Sequence, residues 1–385
     1  MLKRTIYDEE HEMFRRTVRG WAEAEVFPHR EAWREAGSVS REVWRSAGEN
    51  GFLCMYADEK YGGLGLTDFR YDMILNEELS SRESGLFLGL HNRIVGPYLQ
   101  NFASDAQRAR FMPGAVSGEL ILAIAMTEPD TGSDLAGMRT RAVEMEDHWV
   151  LNGAKTYISN GHLADLVLVA ARTNPDKPHE IGLFWVEAGM EGFSRGRNLK
   201  KVGLESQDTA ELFFEDVKVP KANVLGDPRM GFKIMMTNLA EERLMGAVGF
   251  CARAEHAFDA TMEYIMERRA FGRPVGTFQN SRFKMASIRT ELDAAWALTD
   301  HCVREHMEGT LTPEMAAEAK LFTSEVEGRA VDECLQLHGG AGYMDEYEIS
   351  RLYRDARISR IYAGTSEIMR EIIGRGLGLD ERKKN

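Results

Sequence analysis

Trp149-Val150-Leu151-Asn152-Gly153-Ala154-Lys155-Thr156-Tyr157-Ile158-Ser159 is the stretch on which the architecture turns. Two runs rich in β-branched and aromatic residues flank Asn-Gly, the strongest short-range hairpin signal, and the spacing predicts strand, tight turn, strand. Further strand-like runs follow at residues 166–171, 181–186 and 210–214, with Asn, Pro, Asp and Gly punctuating the gaps. No helix alternates with these strands, so a parallel dinucleotide-binding sheet is disfavoured. The expectation is an antiparallel β domain, a barrel or sandwich, over residues 121–235.

Helical patterns lie on both sides of it. Phe14, Val18, Trp21, Ala22 and Val26 recur at three- and four-residue steps and end at Pro28, and Ser40 stands as an N-cap before residue 41. Tyr61-Gly62-Gly63-Leu64-Gly65 reads as a plain glycine-rich turn, because no apolar strand leads into it. Beyond the β region, residues 238–269 contain no proline. A second long pattern runs from Gln279 to about residue 307. A third starts with Thr312 as N-cap and Pro313 at the first helical position, and stops at Gly339-Gly340. The predicted fold class is α+β: an N-terminal helical domain (1–120), a middle antiparallel β domain (121–235) and a C-terminal helix bundle (236–385).

Composition narrows the function. The 385 residues carry 48 Lys and Arg against 61 Asp and Glu, a formal net charge of −13. That field repels nucleic acid and anionic membranes, so neither is expected as a partner. Four scattered cysteines form no CxxC pair, which fits a reducing cytoplasm rather than a disulfide framework. The longest apolar run, residues 120–126, is far shorter than the roughly 18 residues of a spanning helix. No targeting segment is visible at the N-terminus.

Phosphate-loop, HExxH and GxSxG motifs are absent. Cys334 and His338, at i and i+4, have no second ligand pair, so no metal is expected. What carries chemistry is Ala125-Met126-Thr127-Glu128-Pro129-Asp130-Thr131-Gly132-Ser133-Asp134, where an apolar strand enters a turn dense in hydroxyls and amides. Such groups suit an anionic, hydrogen-bonding ligand.

That segment resembles the first flavin-binding signature of the acyl-CoA dehydrogenase family, and the resemblance continues nearly end to end. Tyr157-Ile158-Ser159-Asn160-Gly161 is similar to the second signature, where an aromatic ring and a hydroxyl meet the isoalloxazine. Arg268-Arg269-Ala270-Phe271-Gly272, with Gln279, looks like the segment that reaches the FAD of a neighbouring subunit. Gln336-Leu337-His338-Gly339-Gly340 and Ile361-Tyr362-Ala363-Gly364-Thr365-Ser366-Glu367 are similar to the two C-terminal signatures. The resemblance implies FAD held by Met126, Thr127, Ser133, Tyr157, Ile158, Ser159, Arg268, Gln279, Gln336, Gly339, Gly340, Thr365 and Glu367. It also implies a homotetramer, α,β-dehydrogenation of an acyl-CoA thioester, and electron transfer to an electron-transfer flavoprotein.

One departure matters. Many members place the catalytic Glu between the Tyr and Gly of the last signature, where this chain has Ala363, whose methyl group takes no proton. The long-chain and isovaleryl-CoA dehydrogenase types instead carry the base on a helix directly before an Arg, and Leu239-Ala240-Glu241-Glu242-Arg243-Leu244 matches them. Glu242 is then the base, while Glu241, about 100° around the helix, faces elsewhere. Arg243 becomes a charge partner. Gln207-Asp208-Thr209-Ala210-Glu211-Leu212 also resembles the long-chain type. Substrate contacts are expected from Ser133, Lys233, Glu242, Arg243, Ala363 and Gly364, with the Ala363 N–H on the thioester oxygen.

Two alternatives share the fold: flavin oxidases or monooxygenases, and non-catalytic nucleic-acid-binding or scaffold relatives. The chain is short for the former, and its acidity and the retained Glu242 speak against the latter.

Overall fold

The computed structural model describes residues 2–83 and 85–380. The N-terminal part is helical: α1 (Glu9–Trp21), α2 (Arg30–Ala36), α3 (Arg41–Glu49), α4 (Phe69–Ser80), α5 (Gly96–Phe102) and α6 (Asp105–Ser117). The expected stripe buries Val18, Trp21, Ala22 and Val26. Pro28 does not end the helical path, because it sits at the start of a tight turn (Phe27–His29), where its missing N–H costs nothing, and α2 follows at once. Ser40 occupies the N-cap of α3, although its hydroxyl accepts no helix N–H.

The middle part holds β1 (Leu122–Ala125), β2 (Arg141–Glu144), β3 (His148–Ser159), β4 (Leu166–Arg172), β5 (Ile181–Glu187), β6 (Phe193–Asn198), β7 (Thr209–Pro220) and β8 (Val224–Leu225). They form one sheet in the order β6-β7-β3-β2-β4-β5-β8, with β1 also paired to β4. Most pairs are antiparallel, but β1–β4 and the single bridge β2–β4 are parallel, so the sheet is mixed.

The hairpin expected at Asn152-Gly153 is absent. β3 runs straight through both residues along β7, and the register shifts between Leu151 and Gly153, a bulge. Gly153 has φ +150°, and a Cβ there would lie 2.5 Å from Thr140 Oγ1. Asn152 exchanges two hydrogen bonds with Asp216 of β7, donating at 2.9 Å and accepting at 3.0 Å. The tight turn instead precedes β3, where the Met145 N–H bonds the His148 carbonyl at 2.9 Å and β2 returns as β3.

β4 and β5 read as continuous apolar runs because both faces are covered. Leu166, Leu168, Leu183 and Trp185 pack toward α5 and α6, whereas Val167, Val169, Phe184 and Val186 pack against the β3 and β7 side chains.

The C-terminal part consists of α7 (Gly231–Glu267), a small ribbon of β9 (Arg269–Ala270) and β10 (Arg273–Pro274), α8 (Gln279–Met307), α9 (Pro313–His338), α10 (Glu348–Ala356) and α11 (Ser366–Gly376). α7 starts seven residues before the proline-free stretch that announced it. Thr312 caps α9 as its sequence suggests, its hydroxyl accepting from the Met315 N–H at 3.2 Å. α7, α8 and α9 share an apolar core that includes Leu244, Val248, Leu292, Trp296, Val326 and Val331. No helix among the described residues is long and apolar enough to cross a membrane.

Candidate active site

Glu242 lies on the buried side of α7 and is 4% exposed. Its Oε1 accepts from the Tyr98 hydroxyl of α5 at 3.4 Å and from Asn238 Nδ2, one helical turn earlier, at 3.1 Å. Asn238 is held in turn by the Ile94 carbonyl at 3.0 Å. Burial pushes the Glu242 carboxyl up to about 7, against the opposing pull of the two hydrogen bonds and the Arg243 charge. A carboxyl poised there exchanges protons near neutral pH.

Glu241 turns away, as its helical offset requires. It joins Arg93 at 3.5 Å and His306 at 3.4 Å, and Arg93 is pinned by Asp72 at 2.6 Å. Burial raises its carboxyl too, so a shifted pKa does not separate the two residues; geometry does. Glu241 faces the Arg93 charge and a His306 that burial keeps neutral by bringing it down to about 4, whereas Glu242 is met by neutral donors.

Arg243 is buried, and its Nε has no hydrogen-bond partner among the described residues. Beside it on α9 is Lys320, whose Nζ donates to the Gly364 carbonyl at 2.7 Å. Ala363 adopts φ +52° and Gly364 φ +92°. A small cavity lined by Phe87, Met245, Gly246, Gly249 and Tyr362 separates α7 from the segment that leads into this turn. The larger open groove between the N-terminal helices and α7–α8 is lined by charges that pair with one another, among them Arg4, Glu77, Glu255 and Arg289.

The two hydroxyl-rich segments are brought side by side. The Thr156 N–H bonds the Thr127 carbonyl at 2.9 Å. The Lys155 ammonium, fully buried, bonds the Met126 carbonyl at 3.0 Å and Glu128 at 2.8 Å, and Glu128 also accepts from the Arg139 and Thr140 N–H groups. This clamp presents Ser133 and Tyr157 outward. Tyr157 is 69% exposed at φ +59°, while Ile158 points into the core and Ser159 ends the strand half-buried. An uncovered aromatic ring on a strand paired to the hydroxyl-bearing Thr127 segment, with open space next to Gly132, fits a flat heteroaromatic cofactor such as a flavin.

The remaining expected residues fall elsewhere on the chain. Arg268, Gln279, Gln336, Gly339 and Gly340 are exposed near one end of the bundle, where Tyr264 stacks on His338 with centroids 4.2 Å apart. His338 Nδ1 is engaged by the Cys334 carbonyl at 2.9 Å. Thr365 caps α11, accepting from the Ile368 N–H at 3.3 Å, and Glu367 is exposed in its first turn. Lys233 is exposed on α7, half a turn around the helix from Glu242, and is not brought to it.

Sequence reasoning missed Tyr98, Asn238, Lys155 and Lys320. The last left a trace, since it interrupts the buried stripe Ala316, Ala319, Thr323 and Val326 of α9.

Known proteins share the order of helical, β and helical parts. Residues 8–119, 123–217 and 229–378 match the N-terminal, middle and C-terminal domains of acyl-CoA dehydrogenase, in that order. The chain is 43% identical to the mitochondrial long-chain specific acyl-CoA dehydrogenase of Sus scrofa, over 98% of this chain and 89% of that one. It superposes on the crystal structure of an acyl-CoA dehydrogenase from Geobacillus kaustophilus with TM-score 0.95 and 47% identity, covering 96% and 98% of the two chains. A glutaryl-CoA dehydrogenase from Mycobacterium smegmatis, solved in complex with FADH2, matches with TM-score 0.90 and 28% identity over 97% and 96%. Matched domain by domain over nearly its whole length, this chain belongs to the acyl-CoA dehydrogenase family and is an enzyme of it.

Proposed function

We propose that this enzyme converts a long-chain acyl-CoA to its trans-2-enoyl-CoA, with Glu242 as the base. The observation that carries the proposal is the Glu242 carboxyl, buried on α7 and held by Tyr98 and Asn238, in a chain whose other family position is Ala363. Glu242 takes the α-proton. The Ala363 N–H meets the thioester oxygen, where negative charge develops as that proton leaves. Bound FAD supplies the acceptor for the β-hydride. Met126, Thr127, Ser133, Tyr157 and Ser159 are the residues that would hold it, with Arg268, Gln279, Gln336, Gly339 and Gly340 completing the site of a neighbouring copy in a homotetramer. Electrons then pass to an electron-transfer flavoprotein. The long-chain preference is supported by the identity with the Sus scrofa enzyme.

Purified protein is expected to be yellow, with one FAD per chain, and to sediment as a tetramer. Anaerobic mixing with a panel of straight and branched acyl-CoAs should bleach the flavin fastest with long straight chains. A colourless protein that takes up no FAD, or one bleached by no acyl-CoA, refutes the proposal. H₂O₂ release with acyl-CoA as sole reductant would assign it to the oxidases instead.

A pH profile gives a second check. The base works only when deprotonated, so kcat/KM should rise with pH through about 7, where burial places Glu242. A profile flat from pH 5.5 to 8.5, within about twofold, contradicts the assignment.

A further inference from the structure

α9 sends a lysine into the protein interior. Lys320 is 0% exposed, and its Nζ bonds not a carboxylate but the carbonyl of Gly364, 2.7 Å away. Burying an ammonium for a single neutral acceptor is costly. The cost shows in its acidity, which burial and then the charge of Arg243 bring down to about 8. A leucine or methionine would fill this position on an apolar helix face more favourably. The lysine is therefore explained by what it grips rather than by packing.

What it grips is a strained turn. Ala363 and Gly364 are consecutive left-handed residues, at φ +52° and +92°. The non-glycine member is strained there, and such backbone persists only where its surroundings over-determine it. α9 supplies that constraint at two points just beyond Ala363. Lys320 holds the Gly364 carbonyl, and Glu325, on the same helix, accepts from the Ser366 hydroxyl at 3.0 Å. Thr365 closes the segment by capping α11.

We propose that Lys320 is a positioning residue, which holds the Gly364 carbonyl so that the Ala363–Gly364 turn stays left-handed and its Ala363 N–H stays aimed at the thioester oxygen. This inference rests on the dehydrogenation reading above. Lys320 touches no reacting atom itself.

The test isolates proton removal from hydride transfer. A 3,3-dimethylacyl-CoA has α-hydrogens but none on the β-carbon, so it binds and ionises without being oxidised. In D₂O the FAD-loaded enzyme should exchange its α-hydrogens for deuterium: Glu242 takes the proton, the charge moves to the thioester oxygen, and a deuteron returns to the α-carbon. Mass spectrometry follows the exchange. Lys320→Met is expected to slow exchange by about 10–100-fold per FAD-loaded site, the scale of a donor displaced by a fraction of an ångström to an ångström. The Kd for the ligand should change by less than about threefold, because the donor acts mainly on the ionised form. Lys320→Arg, which keeps a cationic donor, should recover exchange to within about tenfold of wild type.

Lys320→Met exchange within about twofold of wild type per loaded site overturns the proposal. So does a loss that is confined to FAD occupancy. If the Met variant retains no FAD, Lys320→Gln, which keeps a polar head in the same space, carries the comparison under the same criteria. A wild type that exchanges no α-hydrogen and is bleached by no acyl-CoA overturns the dehydrogenation reading instead, whereas a bleached and exchanging wild type leaves Lys320 alone on trial.

Discussion

Glu242→Gln should still bind acyl-CoA yet reduce its flavin about 10²–10⁴-fold more slowly, the range for loss of a general base. Gln keeps the size of the side chain and its bonds to Tyr98 and Asn238 while removing basicity. The same change should stabilise the fold. Burial raises the Glu242 carboxyl to about 7 in the native state, so its charged form is disfavoured there relative to the unfolded chain. The native state then has its full advantage from a neutral Glu242 below the unfolded pKa, and loses it as pH rises through about 7. At pH 8 the Gln variant should gain up to about 3 kcal/mol over wild type, and at pH 4 almost nothing. A lower Tm at pH 8, or flavin reduction at the wild-type rate in anaerobic stopped flow, rejects Glu242 as the buried base.

Two companion variants sharpen the result. Glu241→Gln disturbs only the cluster with Arg93 and His306 and should keep its reduction rate within about tenfold, or 1.4 kcal/mol of barrier. Adding Ala363→Glu to Glu242→Gln should restore part of the rate, because both positions are expected to face the same α-carbon. The left-handed backbone is already in place at Ala363, so the new side chain adds no new class of strain.

Lys155→Met should destabilise the protein by about 3–5 kcal/mol, the cost of leaving a buried charge without its partner. Lys155 is fully buried and Glu128 nearly so, 2.8 Å apart. Burial disfavours both charges, yet the Lys155 ammonium holds the Glu128 carboxyl below its usual range, while Lys155 itself falls to about 8. The variant also frees the Met126 carbonyl and unties the two hydroxyl-rich loops, so FAD should dissociate during gel filtration. Lys155→Met combined with Glu128→Gln should recover part of the stability, since no unpaired charge remains. Urea unfolding and the visible absorbance of the eluted protein check both effects. A single variant as stable as wild type and fully yellow would show that the pair does not clamp the loops.

Much of this enzyme is written locally in its chain. Thr312-Pro313 starts α9 because capping and the missing proline N–H are decided by neighbours in sequence. The apolar runs that became β4 and β5 were visible because burial on both faces removes the polar alternation. The family signatures and the substitution of Ala363 were likewise legible, as was the helical offset that separates Glu241 from Glu242.

Other features depended on partners distant in sequence. Asn152-Gly153 carries the local chemistry of a hairpin, but β7 offers a continuous ladder and Thr140 crowds Gly153, so the pair bulges within one strand. Parallel pairing of β1 with β4 joins segments some forty residues apart, which no periodicity announces. Tyr98 reaches Glu242 across 144 positions, and Lys320 reaches Gly364 across 44. Sequence alone therefore determined most helices and apolar strands, the order of the helical and β regions and the family, because those rest on local propensity and short motifs. Tertiary structure alone decided which carboxyl is surrounded by neutral donors and which lysine holds the turn, because burial and hydrogen bonding exist only once distant segments have packed.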